Sequence, residues 1–553
     1  MYKKSPDAGQ LNIFTSPKSL YTGNSLKMYE DQQAWHNQFR QQVIMRIDED
    51  IFRPLYCQDN GAPNVSIRVL VGMMVLKEAE GLSDQKIFEE CRFNSLVRSA
   101  LGLHNMSDQI PTESTYYLFR KRIVEYDKKT NENLLETVFT QITKSQCLEL
   151  EVSGKRIRMD SKLLGSNIAW LSRYELIHET LRLFYNQVKH ASKLDKITQE
   201  RLDELLHLKG DKVVYTCSGE EVKSRLQELG ILINRVLSLF SPSIDKSYHT
   251  LQRVFNEQYK INESKVIVPR PKEELSAKSI QSPHDTDCDY RDKGNQQVKG
   301  YSTNITESCD DDKKLNLIGS VDVKSASASD VDFLQSSIEK TQEVFTDKTE
   351  YVHVDGAYHS PDNQKFCKEQ DINLYLHAIQ GTKGRYQFSY CENGELIVFD
   401  TITNKTVDSV KITCKNNINK WRIKTTKAYR YFTQKDIDTY LFRKQIADTP
   451  IETLQKRNNV EATIFQLGYH YPNAKTRYRG EVKHQMWANI RCLWINFVRI
   501  LKYIKQLCKK TFYFVKYMLK SLFFRLKSVI KSFFATLLSI NLSRSVKIRF
   551  SMN

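Results

Sequence analysis

The chain lacks paired cysteines and long uncharged apolar runs. Its eleven cysteines are scattered singly, and no C-x-x-C pair occurs, so neither a zinc ribbon nor a disulfide framework is indicated. Cys391 and Cys414 come nearest to a weakened metal pair, but their spacing favours an ordinary structural role. Nowhere do about 18 uncharged apolar residues run together, and Met1-Tyr-Lys-Lys-Ser-Pro has no apolar signal core. We therefore expect no stable membrane insertion and a reducing cytoplasm.

Lysine and arginine outnumber aspartate and glutamate. The 553 residues carry a formal net charge of +18 and a sequence pI near 9.2. A field of this sign attracts polyanions, and binding to a phosphate backbone releases its counterions. Ribosomal and membrane-surface proteins share this charge, so it does not by itself identify the partner. The length predicts about three or four domains.

The N-terminal part has a helical pattern. Residues 1–30 are predicted to form a flexible arm, and residues 31–145 a helical domain with a buried helix at Val65–Ala79. Ser83 and Thr112 are candidate N-caps of two further helices. The last of these helices carries three cations, which favours a helix-turn-helix-like DNA-binding domain. The alternative is an interaction bundle with solvated cations. The three candidate DNA-binding residues are Arg120, Lys121 and Arg122.

Three carboxylates stand in segments typical of a catalytic α/β domain. Asp160 and Asp355 each close a short run of alternating or β-branched residues, as at the end of a buried strand, and Glu461 lies in a segment with helical periodicity. A buried Asp is costly unless it is paired or binds a metal. Hard oxygen ligands suit Mg²⁺, which prefers carboxylates, water and phosphate. Each residue alone could instead be a turn cap or a solvated side chain.

The strands and helices predict one α/β domain with two insertions. We expect a strand and turn at 150–168 with Asp160 at their junction, strands near Val298–Thr306, Leu315–Val323 and Ile372–His377, and a second helix at Val482–Leu501. The predicted domains are the catalytic domain at 150–170 and 295–500, a helical and loop insertion at 171–294, and a β-rich insertion at 381–431.

Two segments carry further local signals. Asn393-Gly394 separates two strand-like runs, which is a strong hairpin signal inside the β-rich insertion. Residues 501–553 hold twelve Lys or Arg and no acid, and aromatic residues alternate with the lysines. This spacing predicts a basic amphipathic tail of one or two helices. Contact with DNA, packing against the preceding domain and binding to a membrane surface remain open for it.

Six motifs along the chain carry a resemblance to a known family. They are Tyr117-Leu-Phe-Arg120-Lys-Arg122, Arg158-Met-Asp160-Ser-Lys, Ser282-Pro-His-Asp-Thr-Asp287 with Lys299-Gly-Tyr301, His353-Val-Asp355-Gly-Ala-Tyr358-His-Ser360, Arg457-Asn-Asn-Val-Glu461 and Arg477-Tyr-Arg479-Gly480. With these motifs the chain resembles bacterial insertion-sequence transposases of the DDE superfamily, in particular the IS-eleven-eighty-two group, which is related to the IS-four and IS-five groups. The resemblance covers most of residues 30–500.

The resemblance implies an RNase H-like catalytic core. In that fold the first Asp lies on strand one, the second on strand four and the Glu on a following helix, which correspond here to Asp160, Asp355 and Glu461. Related transposases place a Tyr before the Arg of the last carboxylate motif and a Lys after its Glu, where this chain has Leu454 and Gly468. Other cations are candidates for contacting DNA phosphates in their place. They are Arg457, Arg477, Arg479 and Lys483.

The implied function is transposition of an insertion sequence. The three carboxylates are expected to hold two Mg²⁺ ions, for which Mn²⁺ can substitute, and to cleave and join DNA strands by in-line displacement. The expected partners are double-stranded DNA, as terminal inverted repeats and as target, and a second copy of the chain, in the bacterial nucleoid. Two alternatives are a catalytically inactive DNA-binding repressor or remnant, and a metal-dependent nuclease without strand transfer.

Overall fold

A computed structural model describes residues 1–5, 16–191, 193–240, 246–294, 296–310, 315–378, 384–391, 395–413, 419–425 and 428–549. It combines a helical N-terminal region with a mixed β-sheet and two inserted segments. Among the described residues, no helix combines the length and the apolarity needed to cross a bilayer.

In the described part of the N-terminal region there are seven α-helices. They are α1 (Gly23–Glu30), α2 (Trp35–Gln42), α3 (Ile67–Ala79), α4 (Asp84–Phe93), α5 (Ser95–Leu101), α6 (Glu113–Thr130) and α7 (Leu134–Leu150). Every residue of α3 is buried, which confirms the buried helix expected there.

The two predicted helix caps of this region are confirmed. Ser83 accepts a hydrogen bond from the Lys86 amide, and Thr112 accepts one from the Thr115 amide. The expectation of a loose arm is wrong for part of residues 1–30, because α1 is helical and the Tyr2 amide donates to the Cys57 carbonyl. Residues 6–15 lie outside the described part.

A six-stranded sheet forms the centre of the protein. Its strands are β1 (Arg156–Gly165), β4 (Asp289–Lys293), β5 (Gln296–Ser308), β6 (Ile318–Ser325), β7 (Tyr351–Val354) and β8 (Asn373–Leu376). The order is β4-β5-β1-β7-β8, with β6 also paired to β5. β1, β7 and β8 run parallel, whereas β5 is antiparallel to β1, β4 and β6. Two helices are attached to this sheet, α13 (Leu334–Val344) and α14 (Pro361–Glu369).

One local expectation about these strands is wrong. β1 continues through Asp160 to Gly165, so Asp160 lies in mid-strand and not at a junction with a turn. The strand continues because β5 pairs with it over its whole second half, from Asp160↔Ile305 to Gly165↔Gly300. Residues 280–288, before β4, form no helix or strand, and Ser282 and Asp285 within this loop are buried.

A helical insertion separates β1 from β4. It contains α8 (Arg173–Val188), α9 (Lys196–His207), α10 (Gly210–Thr216), α11 (Gly219–Leu239), α12 (Lys246–Gln258) and the short strands β2 (Tyr259–Ile261) and β3 (Ile267–Pro269). These elements bury a hydrophobic cluster of their own around Ile177, Leu181 and Ile233.

A β-rich insertion follows β8. Its elements are β9 (Tyr386–Tyr390), β10 (Leu396–Asp400), β11 (Lys405–Asp408), β12 (Val410–Thr413), β13 (Asn419–Lys424), β14 (Tyr429–Thr433) and α15 (Gln434–Asp448). The strands form two three-stranded antiparallel sheets, β11-β10-β9 and β12-β13-β14, and they are followed by α15, a helix that the sequence pattern did not indicate. The expected hairpin pairing is confirmed, because Tyr390 is opposite Leu396. Its turn at Asn393-Gly394, like Cys414, lies outside the described residues.

Three helices complete the chain: α16 (Ile451–Gln455), α17 (Asn459–Leu467) and α18 (Glu481–Arg549). α18 is one unbroken helix through the segments expected to form a core helix and a separate tail. Its first five turns pack into the protein through residues such as Trp487 and Phe497, whereas Lys505, Leu507, Lys516 and Leu519 beyond them are exposed.

A buried ion cluster joins the sheet to α17 and α18. Glu307 on β5 has no exposed surface, and it accepts hydrogen bonds from Arg158 on β1 (2.6 Å), Arg499 on α18 (2.7 Å) and Thr463 on α17 (2.7 Å). Burial alone would raise the pKa of Glu307, but Arg499 and Arg158 more than offset it, so the net pKa is lowered. Such a cluster tolerates the loss of one member poorly, because a buried charge is left unpaired.

Glu307→Gln is expected to lower the free energy of unfolding by about 3–5 kcal/mol at neutral pH, since both arginines lose their counter-charge. Urea unfolding followed by circular dichroism measures this. Because the pKa of Glu307 is lowered in the folded state, its contribution is present above pH 4.5 and is lost as the pH falls. Glu204→Gln, which removes an exposed partner of Arg201, is the matched control and should change stability by less than about 1 kcal/mol. Equal effects of the two variants would contradict the structural role of Glu307.

Candidate active site

The sheet register brings Asp160 and Asp355 side by side. β1 and β7 are parallel neighbours, with Arg158 opposite His353. Asp160 and Asp355 each lie two residues further along, at the same level of the sheet. Asp355 directly follows β7, as the sequence predicts, and caps the short 3₁₀ turn Gly356–Tyr358 by accepting a hydrogen bond from the Ala357 amide at 2.7 Å.

Arg457 lies between the three predicted carboxylates. Its Nη2 is 3.1 Å from Asp160 Oδ2, 3.7 Å from Asp355 Oδ2 and 3.7 Å from Glu461 Oε1. Arg457 lies in a 3₁₀ turn before α17, and Glu461 follows it by one helical turn. The structure therefore brings together three acids, of which the first and the last are about 300 residues apart along the chain.

The three acids differ in exposure. The side chains of Asp160 and Arg457 are each 14% exposed, Asp355 is 29% exposed and Glu461 is 64% exposed. Burial raises the pKa of Asp160, and the Asp355 carboxylate raises it further; the Arg457 guanidinium and the Ser161 amide lower it, and the net direction is upward. Ionised Asp160 beside Asp355 therefore costs free energy, which the contact with Arg457 only partly offsets.

Buried hydrogen bonds fix residues that lie next to the two aspartates in the chain. Ser161, next to Asp160, donates to Asp330 at 2.6 Å, and Asp330 is 3% exposed. Tyr358, three residues after Asp355, is fully buried and donates to Asn304 on β5 at 2.5 Å. These bonds join the segment of Asp160 to the 3₁₀ turn Asp330–Phe333 and the segment of Asp355 to β5.

The donor atoms of the site are of the type that suits a hard divalent cation. Two aspartates and one glutamate supply only oxygen ligands, as Mg²⁺ prefers. In the described part of the chain, however, no three His, Cys, Asp or Glu side chains are grouped closely enough to hold one metal ion. The carboxylates instead surround the guanidinium nitrogen of Arg457. The oxygen donors therefore fit Mg²⁺, but the three carboxylates are spaced as partners of one guanidinium, that of Arg457.

One cation near the site escaped the sequence analysis. Lys162 lies two residues after Asp160 on β1, and a Cβ placed on Gly468 would be 3.1 Å from its Nζ. The ammonium group thus lies beside the end of α17, near the position for which the family resemblance implies a Lys. Burial lowers the pKa of Lys162. Lys162 ends the motif Arg158-Met-Asp160-Ser-Lys, but only the pairing of β1 with its neighbours brings it to α17, which the motif alone does not indicate.

Asp285 and Tyr301, which belong to the motifs not yet described, meet in a structural cluster at the end of β1. Asp285 accepts hydrogen bonds from Ser166 and from Tyr301 (2.6 Å), and the Tyr301 ring lies 4.1 Å from the ring of His484. His484 in turn contacts the Thr476 hydroxyl at 2.7 Å. Burial lowers the pKa of His484 to about 4, so the imidazole is neutral at physiological pH. This cluster positions the loop before α18.

Several cations predicted to contact DNA make contacts within the protein. Arg120 pairs with Asp84 at 3.4 Å and lies over the ring of Tyr478. Arg477 donates to the carbonyls of Gly81 and Leu82, and Arg479 donates to that of Asn167. These arginines join the N-terminal helices and the loop after β1 to the segment before α18. Of the others, Arg122 lies over the Tyr56 ring, Lys121 pairs with Glu125, and Lys483 is at the surface.

Asp160→Asn is expected to leave the protein at least as stable as the wild type at pH 7. Because the pKa of Asp160 is raised in the folded state, its ionisation disfavours folding. The free energy of unfolding therefore falls as the pH rises above 3.8 through the folded pKa. A neutral amide at this position removes that loss. Urea midpoints at pH 4 and pH 7 measure the effect, which should be larger at pH 7. Asp211→Asn, at an exposed position of α10, is the control. A large destabilisation at pH 7 would show that the Arg457 pair outweighs the cost of burial.

Comparison with known families adds one result. Residues 27–122, from within α1 to within α6, match the family model described as "Transposase domain (DUF772)". No curated protein matches the chain. The match supports a transposase, and so a DNA-processing enzyme, at the level of the family.

Proposed function

We propose that the protein is the DDE transposase of an insertion sequence, which cuts DNA at the ends of its element and joins them to target DNA. The observation that carries the proposal is the convergence of Asp160, Asp355 and Glu461 around one guanidinium. The transposase-domain match in the N-terminal region supports the same class.

We further propose that the central sheet is an RNase H-like core. Numbered along the core, β1, β5, β6, β7 and β8 are its strands one to five, and they lie in the order 3-2-1-4-5 with strands one, four and five parallel. The first Asp is then on strand one, the second directly after strand four, and the Glu on a later helix. This placement agrees with the family resemblance.

In this proposal the three carboxylates hold Mg²⁺, which when bound activates the attacking oxygen and stabilises the leaving oxygen at phosphorus. Other side chains of the protein supply positive charge and keep the carboxylates in place. Arg457 shares a helical face with Glu461 and lies close enough to contact either the acids or a substrate phosphate. Lys162 adds a second cation beside α17. Tyr358 and Asp330 keep the two aspartates adjacent.

The proposed partners follow from the reaction. Double-stranded DNA is both the element end and the target, and two ends must be handled together, which favours a homodimer in the DNA complex. The net charge of +18 is of the sign that such a partner requires.

Purified wild-type protein with Mg²⁺ and a labelled terminal-repeat duplex is expected to give cleaved and joined products. Asp355→Asn should lower both rates by about a hundredfold or more, because several kcal/mol of charge stabilisation at phosphorus is lost. Binding of the duplex, measured by mobility shift, should be retained. Asp211→Asn is the matched control and should react at the wild-type rate.

The other outcomes separate the alternatives. Binding by the wild type without any cleavage would favour the inactive repressor or remnant. Cleavage without a joined product would favour the nuclease. Normal cleavage by Asp355→Asn would contradict the proposed site.

Arg457→Gln is expected to move the acidic limb of the pH–rate profile to higher pH. Arg457 lowers the pKa of Asp160, so its removal leaves Asp160 protonated to a higher pH, and a protonated carboxyl group is a poor metal ligand. Cleavage rates between pH 5 and 9 measure this shift. Arg201→Gln, on the surface of α9, is the control. An unchanged acidic limb with a uniform loss of rate would place Arg457 on the substrate phosphate instead.

A further inference from the structure

A cavity of about 420 Å³ lies between the N-terminal helices and α18. It is distinct from the carboxylate site, since none of Asp160, Asp355 and Glu461 lines it. α3 contributes Met74 and Glu78, and α6 contributes one wall from Tyr116 to Lys128. α18 contributes the opposite wall, which includes Met486, Trp487 and Ile490. The volume lies within the range of roughly 300–1,000 Å³ typical of ligand pockets.

The interior of the cavity is apolar and partly aromatic. Met74, Tyr116, Met486 and Trp487 are all buried. Of the two glutamates that line it, the buried one is Glu78, which accepts hydrogen bonds from the hydroxyls of Tyr471 and Tyr478 and lies 3.5 Å from the Lys77 ammonium. Its charge is therefore matched within the protein, and the walls are suited to a flat, weakly polar group.

The rim of the cavity carries an excess of positive charge. Arg120 is paired with Asp84, and Lys121 lies 3.6 Å from Glu125. Among the described residues, no carboxylate lies within ion-pair distance of the other two rim lysines, Lys128 and Lys483. Partial burial and the nearby cations Arg120, Lys128 and Arg479 lower the pKa of Lys483, which reflects the same imbalance.

We propose that this cavity binds one nucleotide, with its base against the apolar wall and its phosphate on Lys128 and Lys483. Stacking on aromatic side chains suits any base, and lysine ammonium groups bind phosphate through charge-assisted hydrogen bonds. A base inside a duplex is covered by its neighbours, so only an unpaired base can enter. The nucleotide is either a free nucleoside monophosphate or an unpaired residue of DNA; the second source rests on the proposed function.

Equilibrium dialysis of the full chain with labelled dAMP and dTMP tests the site, with inorganic phosphate and decanoate as comparison ligands. Mobility shifts of a single strand, of the same strand with one abasic position and of its duplex test the DNA source. We expect both mononucleotides to bind more tightly than phosphate or decanoate. Tighter binding of the intact single strand than of the abasic strand, with mononucleotides bound weakly, would identify DNA as the source. Tight binding of the mononucleotides, with no preference for the intact strand over the abasic strand, would identify the free nucleotide as the source.

Two kinds of variant locate the binding. Lys483→Glu removes a phosphate contact, and Val124→Trp fills the cavity without changing its charge; each should weaken nucleotide binding by about tenfold or more. Lys128→Glu provides an independent test if the filled variant unfolds, which its melting temperature reveals. Lys196→Glu, at an exposed position of α9, is the charge control and should bind as the wild type does.

Asp160→Asn should also bind nucleotide normally, so a failure of the cleavage reaction is distinguishable from a failure of this site. Absence of nucleotide binding by the wild type would overturn the proposal. Binding of phosphate or decanoate as tight as that of nucleotides, or equal losses in Lys483→Glu and Lys196→Glu, would also overturn it.

Discussion

The position of the candidate site depends on the buried contact between Glu307 and its two arginines. Glu307 belongs to β5, Arg158 to β1 and Arg499 to α18, while Thr463 brings α17 into the same cluster. Arg158 also donates to the Lys456 carbonyl, one residue before Arg457. The helix with Glu461 is thereby held against the strand with Asp160. Hydrophobic packing alone is less directional, so it would permit this helix to slide or turn relative to the sheet.

The site itself concentrates negative charge in a half-buried place. Asp160 lies on β1 and Asp355 directly follows the neighbouring parallel strand β7, so the two ionised carboxylates repel each other. Arg457 reduces the repulsion and donates a hydrogen bond to Asp160 at 3.1 Å. A surface pair of this kind would contribute little, but the low exposure of both partners makes it matter here.

Features with a local cause could be predicted from the sequence. Ser83 and Thr112 cap helices because their hydroxyls accept from the first turn, and Asp355 follows a short β-branched run. The three site acids were proposed from such segments together with the family resemblance. Asp160 was placed at the end of a strand because Arg156–Asp160 carries no signal that β5 would extend the pairing to Gly165. Lys162, Glu307 and the internal contacts of Arg477 depend on tertiary register, which no local pattern encodes.

The chain order of the sheet has a consequence for how the protein is made. β1 is separated from β5 by the helical insertion, and the Glu307 cluster closes only when Arg499 is present. The insertion has its own hydrophobic cluster and can fold as a unit during translation, whereas β1 must wait for its neighbours. The ribosome adds about 140 residues between the end of β1 and the end of β5, which takes roughly 7 to 30 s at about 5–20 residues per second. During this time the apolar face of β1, with Ile157 and Met159, lacks the partner strands that bury it in the folded protein, so it needs protection from aggregation before synthesis is complete.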